Sequence, residues 1–217
     1  MELWAIWTNF LASCIDFFAL QFGLTEAVSI ILLTLVIRIL LFPLSYNTAY
    51  NSQKNKIAME KLKPELDVIK EKYADQPSEV MQKTMSLYKE NGIKIFSKFT
   101  ALNLVFQIFF GLGTYQAIRN TTLNSKFLWI SNIANPDLLL AILVGVLTYI
   151  SMAMLPTNAD QNMEILYLVP VLIAVFMLIS FPSALGLYWG TSTLVTISQQ
   201  AILRFVFLKQ SREQSKI

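Results

Sequence analysis

Long apolar segments alternate with polar ones along this chain. Five of the apolar segments have about the 20 residues that a helix needs to cross roughly 30 Å of hydrocarbon. Their pattern predicts an all-α polytopic membrane protein with five transmembrane helices. The predicted spans lie at about 27–44, 96–117, 138–155, 163–181 and 184–207.

The first 24 residues have a different pattern. Asn9 and Asp16 lie one heptad apart and share one helix face, while tryptophans and phenylalanines occupy the rest. A helix with one polar stripe and many aromatic side chains is typical of the membrane interface. We therefore predict an N-terminal interfacial amphipathic helix in residues 1–24, with a sixth membrane span as the alternative.

Between the first two predicted spans, residues 46–95 are polar. Lysines, glutamates and glutamines alternate with apolar residues at spacings of two to four, which predicts amphipathic helices. Pro77 suits the first turn of a second helix, and Asn91 and Gly92 suit its end. We predict that residues 46–95 form a helical hairpin outside the membrane. The hairpin belongs to a five-span core of residues 25–207, which is followed by a short basic tail at 208–217.

Basic residues are distributed unevenly between the polar segments. Residues 46–98 contain ten lysines and the chain from Arg204 onward contains four basic residues, whereas 118–137 contains two and the loop 156–162 none. Because cytoplasmic segments of membrane proteins are rich in Lys and Arg, this asymmetry predicts an N-out, C-in topology. The hairpin and the tail then face the cytosol.

Composition excludes several kinds of chemistry. Hydrophobic residues make up 55% of the 217 residues, charged residues only 14%, and mean hydropathy is +0.53. The chain has no histidine and one cysteine, so imidazole catalysis, a disulfide framework and multi-thiolate metal sites are all excluded. We expect no enzyme activity, metal or cofactor. Cys14 follows a sequence shaped like a lipoprotein cleavage site, but no basic residue precedes it, which favours an unmodified cysteine.

One arginine, Arg38, lies inside the first predicted span. A charge there costs roughly 2.5 to 3.5 kcal/mol on insertion scales, so its side chain must reach the interface, a partner or a wet groove. The acids within the predicted spans, Glu26 and Glu164, lie at span ends, which disfavours a salt bridge. Polar stripes on the second and last spans favour the groove. Hydrogen bonding between helices is the alternative, and it accounts for the Ser and Thr residues of the stripes better than for Arg38, Gln107 and Gln200. The predicted groove residues are Arg38, Asn103, Gln107, Tyr188, Trp189, Thr193, Thr196 and Gln200.

Several segments together resemble one known family. The stretches 31–44, 59–66, 86–92 and 186–200 resemble, in order and spacing, the YidC/Oxa/Alb membrane insertases. This resemblance covers about residues 20–207 and implies a five-span core that inserts other proteins into the bilayer. It also implies a hydrophilic groove holding one arginine, at the position of Arg38. The segment before Gln107 lacks the prolines that the family commonly has there.

The resemblance leads to an expected function. We expect small or single-span proteins with short acidic tails to enter the groove from the cytosol. Methionines of the hairpin (Met59, Met81 and Met85) would receive the apolar segment, with packing inside the hairpin as the alternative. Expected partners are newly made membrane proteins and the bacterial plasma-membrane bilayer, with the Sec translocon and the ribosome as further candidates and no specific nucleic acid. A small-solute transporter or channel and a membrane-complex assembly subunit are the alternative functions.

Overall fold

The computed structural model describes residues 2–93, 98–154 and 164–214. The predicted loop at 156–162 and the predicted beginning of the second span at residue 96 lie outside these ranges. The described residues form nine helices. These are α1 (Glu2–Phe22), α2 (Glu26–Leu40), α3 (Phe42–Lys61), α4 (Lys63–Lys72), α5 (Pro77–Glu90), α6 (Lys98–Asn120), α7 (Leu138–Met154), α8 (Glu164–Leu178) and α9 (Ser183–Gln214).

Helices α2 and α3 form one bent unit. Thr25 caps α2, its hydroxyl accepting a hydrogen bond from the Val28 amide at 3.4 Å. The helix ends at Leu40, and α3 begins two residues later, at Phe42, with Pro43 in its first turn. The two helix axes differ by 63°. The predicted interruption at Pro43 is confirmed, but the helix breaks before the proline because its ring clashes with a preceding carbonyl.

The polar hairpin contains one more break than its sequence predicted. The chain turns at Leu62, between α3 and α4, and Pro64 occupies the first turn of α4. The predicted positions of Pro77 at the start of α5 and of Gly92, with φ of +69°, after its end are confirmed. Helices α4 and α5 pack through a small core of their own, formed by Leu62, Leu66, Tyr88 and Ile93.

Several helices of the described residues have the length and apolarity of membrane spans. Helices α1 and α6 each meet both requirements, and α2 with α3 meets them if the bent pair is one span. Helix α7 and Leu168–Leu178 are shorter apolar helices. By length and composition α1 therefore also meets the requirements of a membrane span, the alternative interpretation of the first 24 residues.

Glycines allow the helices to approach one another closely. A Cβ built on Gly145 of α7 would lie 2.5 Å from Val175 Cγ2 of α8, and one on Gly186 of α9 would lie 2.7 Å from Leu140 Cδ2 of α7. Between α1 and α6, a Cβ on Gly113 would lie 2.5 Å from the indole nitrogen of Trp7. These contacts leave no room for a methyl group, because packed atoms of this kind do not approach so closely.

The loop between α6 and α7 holds the beginnings of two helices together. The Ser125 hydroxyl accepts from the Ala27 amide of α2 at 3.1 Å. The Asn135 carbonyl accepts from both the amide and the hydroxyl of Ser183, at 3.0 and 2.6 Å. Ile133 is fully buried in the main core beneath this loop. The first turns of α2 and α9 are thereby fixed side by side.

Candidate functional site

A cavity of about 620 Å³ lies among α2, α3, α6, α7 and α9, and Pro170 of α8 also lines it. It is partly open to the surroundings, and its described lining mixes apolar with polar side chains. The eight side chains predicted from the sequence as groove residues all line it. They are Arg38, Asn103, Gln107, Tyr188, Trp189, Thr193, Thr196 and Gln200.

Arg38 is anchored across the cavity by a serine of α9. Its Nε donates a hydrogen bond to the Ser192 hydroxyl at 2.6 Å, and its Nη2 donates to the same oxygen. The arginine is half-buried, and Ser192 is buried. Ser192 belongs to the polar stripe of the last predicted span, but its pairing with Arg38 was not predicted. The two residues are 154 positions apart, so only the packing of α2 on α9 brings them together.

A second polar contact repeats this pairing one heptad later. The Ser45 hydroxyl of α3 donates to Gln199 Oε1 of α9 at 3.2 Å. Both partners lie seven residues beyond Arg38 and Ser192, respectively. The constant offset shows that α9 runs parallel to the α2–α3 unit and keeps its register past the bend.

Most threonines in the lining satisfy their hydroxyl donors within their own helices. Thr34, Thr148, Thr193 and Thr196 each donate to the carbonyl four residues earlier, at 2.7 to 3.1 Å. The threonines of the polar stripe therefore do not join α9 to its neighbours. Their oxygens keep lone pairs for an acceptor role at the cavity wall.

Three buried polar atoms of the lining have no hydrogen-bond partner among the described residues. They are Asn103 Oδ1, Gln199 Nε2 and Gln200 Oε1. A buried polar atom without a partner costs about 1 to 3 kcal/mol, and buried polar atoms are nearly always satisfied by protein or water. These atoms therefore mark the cavity as a place for water or a polar ligand. Gln107, by contrast, is exposed.

The lining carries positive charge without a balancing negative one. Its described residues include Arg38 and Arg204 and no Asp or Glu. An opposite charge brought into such a cavity is attracted more strongly than in water, since the effective dielectric constant is lower. The site is thus suited to a negatively charged, polar segment. Arg204 was predicted only as part of the basic cytosolic end.

The three methionines predicted on the hairpin are not equivalent. Met59 is partly buried against the hairpin core, which is the self-packing alternative. Met81 and Met85 are exposed, by 69% and 50% respectively. Only the latter two remain accessible to a partner.

The sequence of the chain matches one family over most of its length. The model of the 60Kd inner membrane protein family matches residues 17–210. Membrane protein insertase YidC 1 of Listeria monocytogenes serotype 4b (strain F2365) is 34% identical over 232 residues, which cover 100% of this chain and 78% of that protein. Membrane protein insertase MisCA of Bacillus subtilis (strain 168) is 32% identical over 217 residues, covering 95% and 80%.

A solved structure has a similar fold. The crystal structure of an active YidC insertase with its first transmembrane domain resolved has a TM-score of 0.64 and 24% sequence identity to this chain. The similarity covers 89% of the chain and 45% of the longer solved one. At this identity the comparison establishes the fold alone.

These findings define a class of protein, the all-helical membrane insertases, and the resemblance seen in the sequence is confirmed. The chain belongs to the 60Kd inner membrane protein family, whose relatives named above are YidC-type membrane protein insertases. The predicted location in the bacterial inner membrane agrees with that family and with the apolar helices.

Proposed function

We propose that this chain inserts small or single-span proteins into the bilayer through the cavity around Arg38, which acts as a hydrophilic groove open to the cytosol. The observation that carries the proposal is the half-buried arginine in a cavity whose described lining contains no carboxylate. Such a cation can pair with a negatively charged group that enters the cavity and leaves it again. The short, acidic N-terminal tail of a substrate has the required charge.

The driving force for insertion would come from the apolar segment of the substrate. Its transfer into lipid releases roughly 25 cal/mol per Å² of apolar surface removed from water. Meanwhile, buried polar atoms such as Asn103 Oδ1 and Gln200 Oε1 would bind the tail or the water around it through hydrogen bonds. The path of the tail through hydrocarbon would thereby be shorter. This process requires no nucleotide, cofactor or covalent step.

The proposal includes an orientation and a set of partners. Five spans with the N-terminus outside and the hairpin and tail in the cytosol are supported by the distribution of lysines and arginines. Exposed Met81 and Met85 would meet the apolar segment before it enters the bilayer. The Sec translocon and the ribosome are further partners that this cytosolic position would allow.

Insertion into reconstituted vesicles tests the role of Arg38. Two single-span substrates are compared, one with an acidic tail and one with a neutral tail, and insertion is measured by protease protection. Arg38→Ala should lower insertion of the acidic-tailed substrate by about tenfold, corresponding to about 1.4 kcal/mol of lost attraction, and spare the neutral one. Lys126→Ala is the control, because it removes an exposed positive charge outside the cavity.

Unchanged insertion of the acidic tail by correctly folded Arg38→Ala would show that the groove charge has no such role. Flux of small solutes through vesicles holding the protein alone would instead support a transporter or channel. Arg38→Lys distinguishes the effect of the positive charge from that of the hydrogen-bond geometry. Lysine keeps the charge, but it lacks the planar group that directs two donors onto Ser192.

A further inference from the structure

Helix α9 carries its polar stripe further than the buried part of the cavity. Ser192, Thr196, Gln200 and Arg204 follow one another at intervals of four residues, and all four line the cavity. Residues four apart lie on the same side of a helix. Arg204 is thus the last member of the stripe on which Ser192 holds Arg38, and its position is not explained by surface solubility alone.

The length of α9 puts Arg204 near one edge of the membrane. The helix has 32 residues, about 48 Å at 1.5 Å per residue, which exceeds the roughly 30 Å of hydrocarbon. Its first turn is held by the loop that also holds α2. Arg204 lies 21 residues beyond Ser183, about 32 Å along the axis, and so at the opposite edge.

Helix α3 forms the facing wall at this level. Its residues Ser52 and Gln53 line the cavity together with Arg204. The rings of Tyr50 and Phe207 pack with centroids 5.1 Å apart, so α3 and α9 still lie side by side at this level. Arg204 itself is exposed. It therefore stands at the mouth of the cavity, beside neutral polar groups.

The two cations of the cavity are separated along its length. Ser192, which anchors Arg38, and Arg204 are twelve residues apart, about 18 Å along α9. One carboxylate cannot contact two guanidinium groups over such a distance, so each cation can pair with its own negative group. An extended chain advances about 3.3 to 3.6 Å per residue, and about five residues would span the interval.

We propose that Arg204 is a second substrate-binding residue of the groove, which binds one acidic residue of a substrate tail while Arg38 binds another about five positions away. This inference rests on the proposed function and deepens it by naming the charge spacing that the groove selects. Tails whose acidic residues are adjacent have the same net charge but can engage only one of the two cations.

The test compares two substrates of equal charge in phosphatidylcholine vesicles. One tail has two glutamates five positions apart, and the other has them adjacent. The unaltered protein should insert the spaced tail several-fold faster. Arg204→Gln should abolish this preference by slowing only the spaced tail, whereas Arg204→Lys should retain part of it. Lys89→Gln, which removes an exposed hairpin charge, is the matched control and should retain all of it.

Two other results would overturn the inference. Equal slowing of both tails by Arg204→Gln, or slowing only when anionic phosphatidylglycerol is present, would mean that Arg204 acts as a general surface charge or binds lipid phosphate. No effect on either tail would mean that it takes no part in binding. In each case the effect of Arg38→Ala on acidic tails decides separately whether the proposed function survives.

Discussion

At the scale of single residues, the central question is how an arginine is tolerated inside an apolar helix. A guanidinium has five N–H donors, and Ser192 accepts from two of its nitrogens. The other donors have no carboxylate to reach among the described lining residues. A partly open cavity that admits water supplies the missing acceptors, which favours a groove over a side chain that reaches the interface alone.

Ser192 is expected to be a positioning residue for Arg38. Ser192→Ala removes the acceptor of both donors, and a hydrogen bond to a charged group contributes about 1.5 to 3 kcal/mol. We expect a lower thermal unfolding temperature in detergent and about three- to tenfold lower insertion of an acidic-tailed substrate, with insertion of a neutral-tailed substrate unchanged.

Ser198→Ala is a matched control for this change. Ser198 is an exposed serine of the same helix whose hydroxyl donates to the Leu194 carbonyl, and it is not among the described lining residues. Its replacement should alter stability by less than about 0.5 kcal/mol. Equal effects of the two substitutions would contradict the positioning role.

Helical periodicity was sufficient to group the polar residues of the second and last predicted spans on faces that line the cavity, because polar residues at intervals of three and four within apolar segments share one side of a helix. Their role in binding substrate stays a prediction. The pairs Arg38–Ser192 and Ser45–Gln199 could not be predicted in the same way. They depend on the register between helices that are 154 residues apart, which a single sequence does not encode locally.

At the scale of helices, close packing at glycine determines how tightly α7 and α8 associate. A Cβ on Gly145 would lie 2.5 Å from Val175 Cγ2, and the β-branched valine cannot easily rotate away. We expect Gly145→Ala to destabilise the protein by about 1 to 3 kcal/mol, the usual effect of overpacking. Thermal unfolding in detergent measures this.

Two further variants decide whether this contact is the cause. Val175→Ala in the Gly145→Ala background removes the obstructing methyl groups and should restore much of the lost stability. Gly111→Ala is the control, because its Cβ would meet only the Tyr188 hydroxyl at an ordinary 3.5 Å. Alanine also favours a helix by about 1 kcal/mol over glycine, so this control should be neutral or stabilising. A double variant as unstable as Gly145→Ala would refute the explanation.

Helix boundaries were predictable where proline, glycine or a capping residue marks them, as at Thr25, Pro43, Pro77 and Gly92. The break at Leu62 was not predicted. Pro64 is compatible with the first turn of a helix, but it does not fix the residue at which the helix before it ends. The loop after α6 was also beyond local patterns. Its contacts with Ala27 and Ser183 join segments that are far apart in sequence.

At the scale of the whole molecule, the two ends of the helical bundle differ. One end is closed by the loop that fixes the first turns of α2 and α9, and the fully buried Ile133 fills the space beneath it. Toward the other end, the cavity extends along α3 and α9 to Arg204. A cavity that reaches the Arg204 end of the bundle agrees with the proposed uptake of substrate tails from that side of the membrane.

This asymmetry has a function only if the mouth faces the cytosol, and the charge distribution predicts that it does. Cys14 is the single cysteine of the chain, so a Cys14→Ser background permits labelling of one introduced cysteine at a time. Lys72→Cys on α4 and Lys126→Cys in the loop after α6 are both exposed positions. A membrane-impermeant maleimide should label Lys126→Cys in intact bacterial cells, but Lys72→Cys only after permeabilisation.

The parent without cysteine gives the background, and labelling after permeabilisation confirms that each thiol is reactive. The reverse labelling pattern would place the hairpin and Arg204 outside the cell, against the positive-inside rule. It would thereby contradict the proposed uptake of tails from the cytosol.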